Sequence, residues 1–212
     1  MFFIFDWDGT ISDSTTKICR CMQAASQDVG LECLERGTIQ NIIGLGLPEA
    51  LRSLYPNITN LQLEQMREAY AKHFKEADQV PSPFFPDVMH TLNILAEQNY
   101  KLAVATGKSR RGLDRVLASL GLSDFFHFSR CADETASKPH PLMLHELLAE
   151  AEVSLGQAVM IGDTEWDMVM ADNCGMKKIA VTYGAHSPER LKVFEPDLFV
   201  DDFKDILNWR FD

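Results

Sequence analysis

The chain has 212 residues, the size of one large domain or of a domain with a small insertion. With 46% apolar and 24% charged residues it has the composition of a globular protein, which excludes collagen-like, coiled-coil and extensively disordered chains. The net charge of −11 disfavours a general binder of nucleic acid or of anionic membranes, because it repels phosphate groups. A small anionic substrate in a locally positive pocket stays compatible with this charge.

The cysteines and the amino-terminal residues indicate the cellular compartment of the protein. The five cysteines form neither a C-x-x-C pair nor a zinc-ligand spacing, and their odd number favours reduced thiols over a disulfide framework. The first apolar run is too short for a signal peptide and lacks a basic start, and no apolar run reaches the ~18 residues of a membrane span. We therefore expect a cytoplasmic protein without a membrane partner.

Short apolar runs predict the strands of the fold. Their continuous apolar character is typical of buried strands in a parallel sheet. Amphipathic helical patterns separate the later runs, so strand and helix alternate as in a doubly wound, Rossmann-like α/β domain. The predicted strands are Phe2–Phe5, Leu102–Ala105, Phe125–Phe128, Val159–Ile161, Ile179–Val181 and Leu198–Val200.

The segment 14–82 interrupts this alternation. It is too long for an ordinary loop and contains helical stripes but no convincing strand. We therefore predict an α/β core formed by 1–13 and 83–212, with 14–82 inserted as a helical cap that moves about linkers at Asp13–Thr15 and Ser82–Phe85. The clearest apolar stripe of the cap comprises Met66, Ala69, Tyr70, His73, Phe74 and Ala77.

Polar residues follow four of the predicted strands. Asp6 and Asp8 come after the first strand, and residues two apart in an extended segment point the same way. Thr106 follows the second strand, Lys138 the third and Asp163 the fourth. Ligands of an open parallel sheet bind outside the carboxyl ends of the strands. The sequence therefore predicts that these side chains share one site.

Neighbouring residues extend the predicted site. Gly9 permits a turn after the first strand, and the amide of Gly107, with the helix start after it, offers donors to an anion. A proline follows Lys138 and keeps it out of helical geometry, so Lys138 is expected on a loop. Asp167 lies four residues after Asp163 and shares its face if a helix begins between them.

The charges of this site require a cation. Asp6, Asp8, Asp163 and Asp167 bring four negative charges against one positive charge on Lys138. Two carboxylates 4 Å apart repel by about 4 kcal/mol at an effective dielectric constant of 20. A carboxylate-rich, all-oxygen site that also receives a phosphate is typical of Mg²⁺. The sequence therefore predicts Mg²⁺ as the cofactor, where it would orient a phosphoryl group.

Four motifs in this order resemble those of the haloacid dehalogenase superfamily of phosphohydrolases, in its phosphoglycolate phosphatase-like branch. The segment 14–82 is similar to the α-helical cap of that family. The four motifs are Asp6-Trp7-Asp8-Gly9-Thr10, Thr106-Gly107, Lys138-Pro139 and Gly162-Asp163-Thr164-Glu165-Trp166-Asp167.

The resemblance implies a role for each residue. Asp6 would be the nucleophile that forms an aspartyl-phosphate, and Asp8 would be the general acid for the leaving alcohol and then the base for water. Thr106 and Lys138 would act at the phosphoryl oxygens as catalytic residues. The phosphate-binding residues would be Gly9, Thr106, Gly107 and Lys138. The Mg²⁺ residues would be Asp6, Asp8 through its carbonyl, Asp163, and Asp167 as support for the metal shell or for Lys138.

We therefore expect Mg²⁺-dependent hydrolysis of a small phosphate monoester, phosphoglycolate-like, with a phosphorylated metabolite and not a nucleic acid as partner. In the family, members that cleave carbon–halogen or carbon–phosphorus bonds usually lack the aspartate found here at Asp8, so a phosphatase or a phosphomutase is favoured. A β-phosphoglucomutase-like sugar-phosphate mutase and a pyrophosphatase remain alternatives. The complete residue set disfavours a non-catalytic regulatory member.

Three weaker signals leave alternatives open. Gly107-Lys108-Ser109 resembles the end of a nucleotide-binding P-loop, but Leu102 stands where that pattern requires glycine, so we reject it. Its lysine either reaches the substrate or is solvated. Gly44–Glu49 is either a helix–helix turn or a cap loop that touches the leaving group. Arg20 and Arg52 are better explained as surface charge than as substrate contacts.

Overall fold

The computed structural model describes residues 1–211 and contains one six-stranded parallel sheet. The strands are β1 (Phe2–Phe5), β2 (Lys101–Thr106), β3 (Phe128–Cys131), β4 (Ala158–Gly162), β5 (Lys177–Val181) and β6 (Leu198–Val200). Their order across the sheet is β3-β2-β1-β4-β5-β6, with all neighbours parallel. The sequence-based prediction of a doubly wound α/β core is confirmed.

Helices cover both faces of this sheet and form the inserted segment. The helices of the core are α5 (Val88–Glu97), α6 (Arg110–Leu120), α7 (Leu142–Ala151), α8 (Glu165–Cys174) and α9 (Pro188–Lys192), with short 3₁₀ turns at Leu155–Gln157 and Phe203–Asn208. The helices of the insertion are α1 (Thr15–Val29), α2 (Arg36–Gln40), α3 (Leu47–Leu54) and α4 (Asn60–Ala77). No helix of residues 1–211 combines the length and apolar character that a membrane crossing requires.

The central strand β1 explains why the apolar runs are continuous. Phe3 and Phe5 pack into the hydrophobic cluster on one face of the sheet, whereas Phe2 and Ile4 pack into the cluster on the other face. Because both faces are covered, every position of the strand is apolar and buried. The position of Phe5 opposite Val104 and Ile161 aligns the ends of β1, β2 and β4.

The predicted position of the third strand is wrong. The apolar run Phe125–Phe128 predicts this strand, whereas β3 covers Phe128–Cys131. Phe125 and Phe126 instead pack against the core from the preceding turn, and the Phe126 ring lies 6.2 Å from the ring of Trp7. An edge strand leaves polar residues partly exposed, so β3 does not carry the apolar run of a central strand.

The helical insertion has a hydrophobic core of its own. Helix α1 packs along α4, and both contribute to a cluster that includes Met22, Leu51 and Met66, each at most 1% exposed. The chain enters and leaves the insertion through two paired segments. The Asp13 amide donates to the Pro83 carbonyl at 2.9 Å and the Phe85 amide to the Ile11 carbonyl at 3.2 Å. The predicted helical cap is thus present, while its boundaries at 14 and 82 stay a prediction.

Candidate active site

The ends of β1, β2 and β4 bring the predicted residues to one edge of the sheet. Asp6 directly follows β1, and its amide still donates to the Ile161 carbonyl of β4 at 2.9 Å. Thr106 is the last residue of β2, and Asp163 follows the last residue of β4. All three side chains are buried, with at most 1% of each residue exposed. The structure thus places these three residues at the same edge of the sheet.

Lys138 joins two of the carboxylates from the loop between β3 and α7. Its Nζ donates to Asp6 Oδ1 and to Asp167 Oδ1, both at 2.6 Å, and the side chain is fully buried. Burial alone would lower the pKa of Lys138, but the carboxylates of Asp167 and Asp6 outweigh it and raise that pKa. Lys138 therefore stays an ammonium group, with one of its three donors left for another acceptor.

Asp167 is fixed by the start of helix α8. Its Oδ2 accepts a hydrogen bond from the Thr164 amide at 3.1 Å, which is one half of the capping box of that helix, and a second from the Thr164 hydroxyl at 2.7 Å. Its Oδ1 is held by Lys138. The helix begins at Glu165, after Asp163, so the two aspartates meet through the loop and not along one helical face.

Asp163 is held between β1 and the loop after β5. Thr10 Oγ1 donates to its Oδ1 at 2.8 Å, and the Ala185 amide donates to its Oδ2 at 2.7 Å. Gly9 has a φ of +92° and lies so close to Asp163 that a Cβ there would overlap the carboxylate. Burial and the nearby Asp167 carboxylate raise the pKa of Asp163 to about 7. Burial likewise holds the pKa of Asp6 well above its usual range.

Asp8 has a separate set of partners. The Ser14 hydroxyl donates to its Oδ1 at 2.6 Å, and Lys108 Nζ lies 3.0 Å from the same atom. Lys108 also lies over the ring of Phe74 from the cap, 4.6 Å from its centroid. Lys108 therefore belongs to the site, which the sequence left undecided. Ser14 was missed because a serine before a helix carries no signal beyond its frequent role as a cap.

An acidic cluster forms where the sequence predicts a metal. Carboxylate oxygens of Asp6, Asp163 and Asp167 lie within 4.8 Å of one another. Asp6 Oδ2 is buried and has no hydrogen-bond partner among residues 1–211. The Asp8 carboxylate, which contacts Lys108 and Ser14, is not among the side chains of this cluster, and a metal contact through the Asp8 carbonyl stays a prediction.

The cap reaches the site through its loop 44–46. A Cβ on Gly107 would come within 2.6 Å of the Gly44 carbonyl oxygen and would overlap that of Leu45. The Gly46 amide donates to Ser137 Oγ at 2.8 Å, next to Lys138. This loop thus packs directly on the core at the strand ends, and Gly107 is the residue that permits the contact.

Two arginines considered in the sequence lie elsewhere. Arg20 and Arg52 are exposed and do not line the cavity beside Asp6 and Asp8. Of the arginines at the start of α6, Arg110 binds Glu134 and Ser129 on the surface, whereas Arg111 lines that cavity. The cavity has a volume of about 690 Å³ and lies between cap and core.

Comparison with known proteins identifies the family of this chain. The model of the haloacid dehalogenase-like hydrolases matches residues 3–181. The chain belongs to this family. It is 34% identical over 212 residues to "Probable phosphatase IndB" of Dickeya dadantii, covering 96% of this chain and 90% of the relative. It is 31% identical over 211 residues to the phosphoglycolate phosphatase of Aliivibrio fischeri, covering 96% of this chain and 93% of the relative.

Solved structures share the architecture of this hydrolase. A hydrolase from Pseudomonas syringae is 24% identical and matches with a TM-score of 0.88 over 98% of this chain and 96% of the other. This likeness confirms the fold. The family and the relatives confirm the predicted enzyme class, a phosphoric monoester hydrolase similar to phosphoglycolate phosphatases.

Proposed function

We propose that this hydrolase is a Mg²⁺-dependent phosphatase that cleaves small phosphate monoesters through an aspartyl-phosphate on Asp6. The observation that supports it most is the state of the Asp6 carboxylate. Lys138 fixes one oxygen at 2.6 Å, and the other is buried beside the cavity without a hydrogen-bond partner among residues 1–211. An oriented oxygen without a partner, next to space for a ligand, is suited to attack.

In the first half of the reaction, Asp6 displaces the alcohol. A carboxylate oxygen of Asp6 forms a bond to phosphorus, and the ester P–O bond breaks with its electron pair going to the alcohol oxygen. Asp8 donates the proton that this oxygen needs. Ser14 and Lys108 hold the Asp8 carboxyl in place for this transfer.

In the second half, water releases the phosphate. Asp8, now a carboxylate, takes a proton from water as the water oxygen bonds to phosphorus and the bond to Asp6 breaks. Lys138 has one donor left for a phosphoryl oxygen, and the Thr106 hydroxyl and the Gly107 amide lie at the end of the neighbouring strand. Gly9 keeps the turn beside Asp163 free of a side chain.

The donor set fits a divalent cation. When ionised, Asp6, Asp163 and Asp167 carry three negative charges, and Lys138 carries one positive charge in contact with Asp6 and Asp167. The remaining two negative charges match one Mg²⁺, which Asp6, Asp163 and the Asp8 carbonyl would hold, with Asp167 as support through Lys138. When bound, the ion would stabilise negative charge on the phosphoryl oxygens.

The inserted helices would serve as the cap of this enzyme. We propose that 14–82 opens and closes about the paired linkers Asp13–Thr15 and Ser82–Phe85, excluding bulk water when closed. The contact of the cap loop with Gly107 is then the closed arrangement.

We also propose a cytoplasmic location, because the five cysteines form no disulfide among the described residues.

A phosphate-release screen tests the proposed function. Small phosphomonoesters, sugar phosphates, nucleotides and pyrophosphate are offered with Mg²⁺ to the wild type, to Asp6→Asn and to Asp124→Asn, a matched change at an exposed position. We expect release from monoesters that Asp6→Asn lowers by at least about 10³-fold and Asp124→Asn leaves unchanged. Full activity of Asp6→Asn would refute the nucleophile. Isomerised sugar phosphate without net release would favour a mutase, and release from pyrophosphate alone a pyrophosphatase.

A further inference from the structure

The cavity beside Asp6 and Asp8 is large for the substrate that the relatives' name suggests. It measures about 690 Å³, within the range of roughly 300–1,000 Å³ typical of sites for ligands of drug size. Phosphoglycolate has a leaving group of only two carbons, which would leave most of this space empty. The cavity therefore has room for a bulkier alcohol.

The cap side of the cavity is apolar. Its walls come from α1, residues 42–45, α3 and α4, and include Met22, Ile43, Leu47, Ala50, Tyr70 and Phe74. Apolar walls favour an apolar ligand because contact removes both surfaces from water. A carboxylate placed among these side chains would lose its hydration without gaining a partner.

The cations that line the cavity lie at its mouth or are bound in ion pairs. Lys72, Lys75 and Arg111 are exposed at its mouth. Arg115 binds Asp78 at 2.9 Å, and Lys108 binds Asp8 at 3.0 Å. Among the residues that the structure describes, the cap walls thus offer no unpaired buried cation to a leaving group that carries a carboxylate.

Two aromatic side chains form one wall. The rings of Tyr70 and Phe74 lie 5.5 Å apart at 36°, and both line the cavity. Phe74 also contacts the Lys108 ammonium that binds Asp8, which places this wall next to the proposed general acid. Aromatic rings prefer to pack against other rings in offset or edge-to-face arrangements.

From size, walls and charge together, we propose that the preferred substrate is a phosphate monoester whose alcohol carries an uncharged aromatic ring that packs against Tyr70 and Phe74. This inference rests on the proposed phosphatase function. It names the class of alcohol that the cap selects, in place of a short alcohol with a carboxylate.

The test compares three esters of primary alcohols, so that the leaving groups are chemically alike. They are 2-phenylethyl phosphate, ethyl phosphate and 2-phosphoglycolate, each assayed by phosphate release with Mg²⁺. We expect the kcat/KM of the phenylethyl ester to exceed that of each of the others at least about tenfold, since burying an aromatic group is worth more than one tenfold step. Equal or higher kcat/KM for ethyl phosphate or phosphoglycolate would overturn the inference.

A cavity-filling variant tests where the ring binds. Ala50→Leu enlarges a side chain that lines the cavity, and we expect it to lower the ratio of kcat/KM for phenylethyl over ethyl phosphate at least about fivefold, because overpacking excludes the ring. The matched control is Ala149→Leu, at an exposed position of α7, for which the ratio should not change. An unchanged ratio in a folded Ala50→Leu variant would place the ring elsewhere and contradict the inference.

The two proposals fail in different ways. If no ester releases phosphate in an Asp6-dependent manner, the phosphatase function is wrong. If Asp6-dependent release occurs but without a preference for the phenyl group, the function stands and the aromatic inference is wrong. The comparison of wild-type rates needs no variant, so a folding failure of Ala50→Leu leaves the inference testable.

Discussion

The core and the cap sides of the same cavity are built from opposite chemistry. On the core side, Asp6, Asp163 and Asp167 are buried together, and their charges are partly compensated by Lys138. On the cap side, the walls are apolar and aromatic. In the proposed function, the core side binds and transfers a charged phosphoryl group, and the cap side selects the alcohol attached to it. The difference separates the chemistry of the enzyme from its specificity.

Removing the metal should affect the core side most strongly. Without a cation, burial favours the protonated carboxyl groups of Asp6 and Asp163, and carboxylates that do ionise repel a phosphate dianion, so both effects disfavour attack by Asp6. We expect EDTA to lower phosphate release at least about a hundredfold and added Mg²⁺ to restore it, since metal stabilisation of charge is worth several kcal/mol. Rates are measured on a single monoester before and after dialysis. Activity that persists after chelation would refute the metal prediction.

The contact between the two sides should be the next most sensitive feature. A Cβ at Gly107 would overlap the carbonyl oxygens of Gly44 and Leu45, so Gly107→Ala must displace the cap loop. We expect kcat/KM to fall roughly 10- to 100-fold, because small misplacements near a reacting group cost about that much. Unfolding should be easier by about 1–3 kcal/mol, the usual effect of overpacking.

A second glycine provides the control for that change. Gly156 has open space where its Cβ would lie, so Gly156→Ala should leave kcat/KM unchanged. Steady-state kinetics compare the kcat/KM of both variants, and denaturant unfolding compares their stability. If Gly107→Ala matches Gly156→Ala in rate, the closed contact of the cap loop has no part in turnover.

The residues of the core side could be predicted from the sequence because local sequence patterns determine their positions. Asp6, Thr106 and Asp163 follow continuous apolar strands, and parallel strands bring their carboxyl ends together. The misplaced strand β3 shows the limit of this rule, because an edge strand has no continuous apolar run. Helix-to-strand alternation likewise predicted helices in the core, whereas apolar stripes at helical spacing predicted helices in the insertion.

The cap side could not be read in the same way. Phe74 and Tyr70 follow the ordinary apolar stripe of a helix, and that pattern does not distinguish a residue of the cap's own core from one that lines a cavity. The partner of Lys108 depends on how the cap closes over the core, which joins residues far apart in the chain. Specificity therefore depends on tertiary contacts that no local pattern records.

The smallest expected effect concerns the cost of burying charge on the core side. Burial raises the pKa of Asp163 from 3.8 to about 7, so the folded protein holds this proton to higher pH than the unfolded chain does. Ionised Asp163 therefore lowers the stability of the metal-free protein as pH rises from 3.8 to about 7. Asp163→Asn removes that penalty and keeps an oxygen to accept the Ala185 amide.

We accordingly expect Asp163→Asn, in EDTA, to be more stable than the wild type by an amount that grows by about 1–3 kcal/mol between pH 5 and pH 8. Denaturant unfolding at both pH values measures it, with Asp124→Asn as the exposed control that should show no such growth. A gain that is constant or falls with pH would mean that Asp163 is ionised at little cost without a metal. The core side would then tolerate its charge unaided, and its contrast with the apolar cap would lose its electrostatic basis.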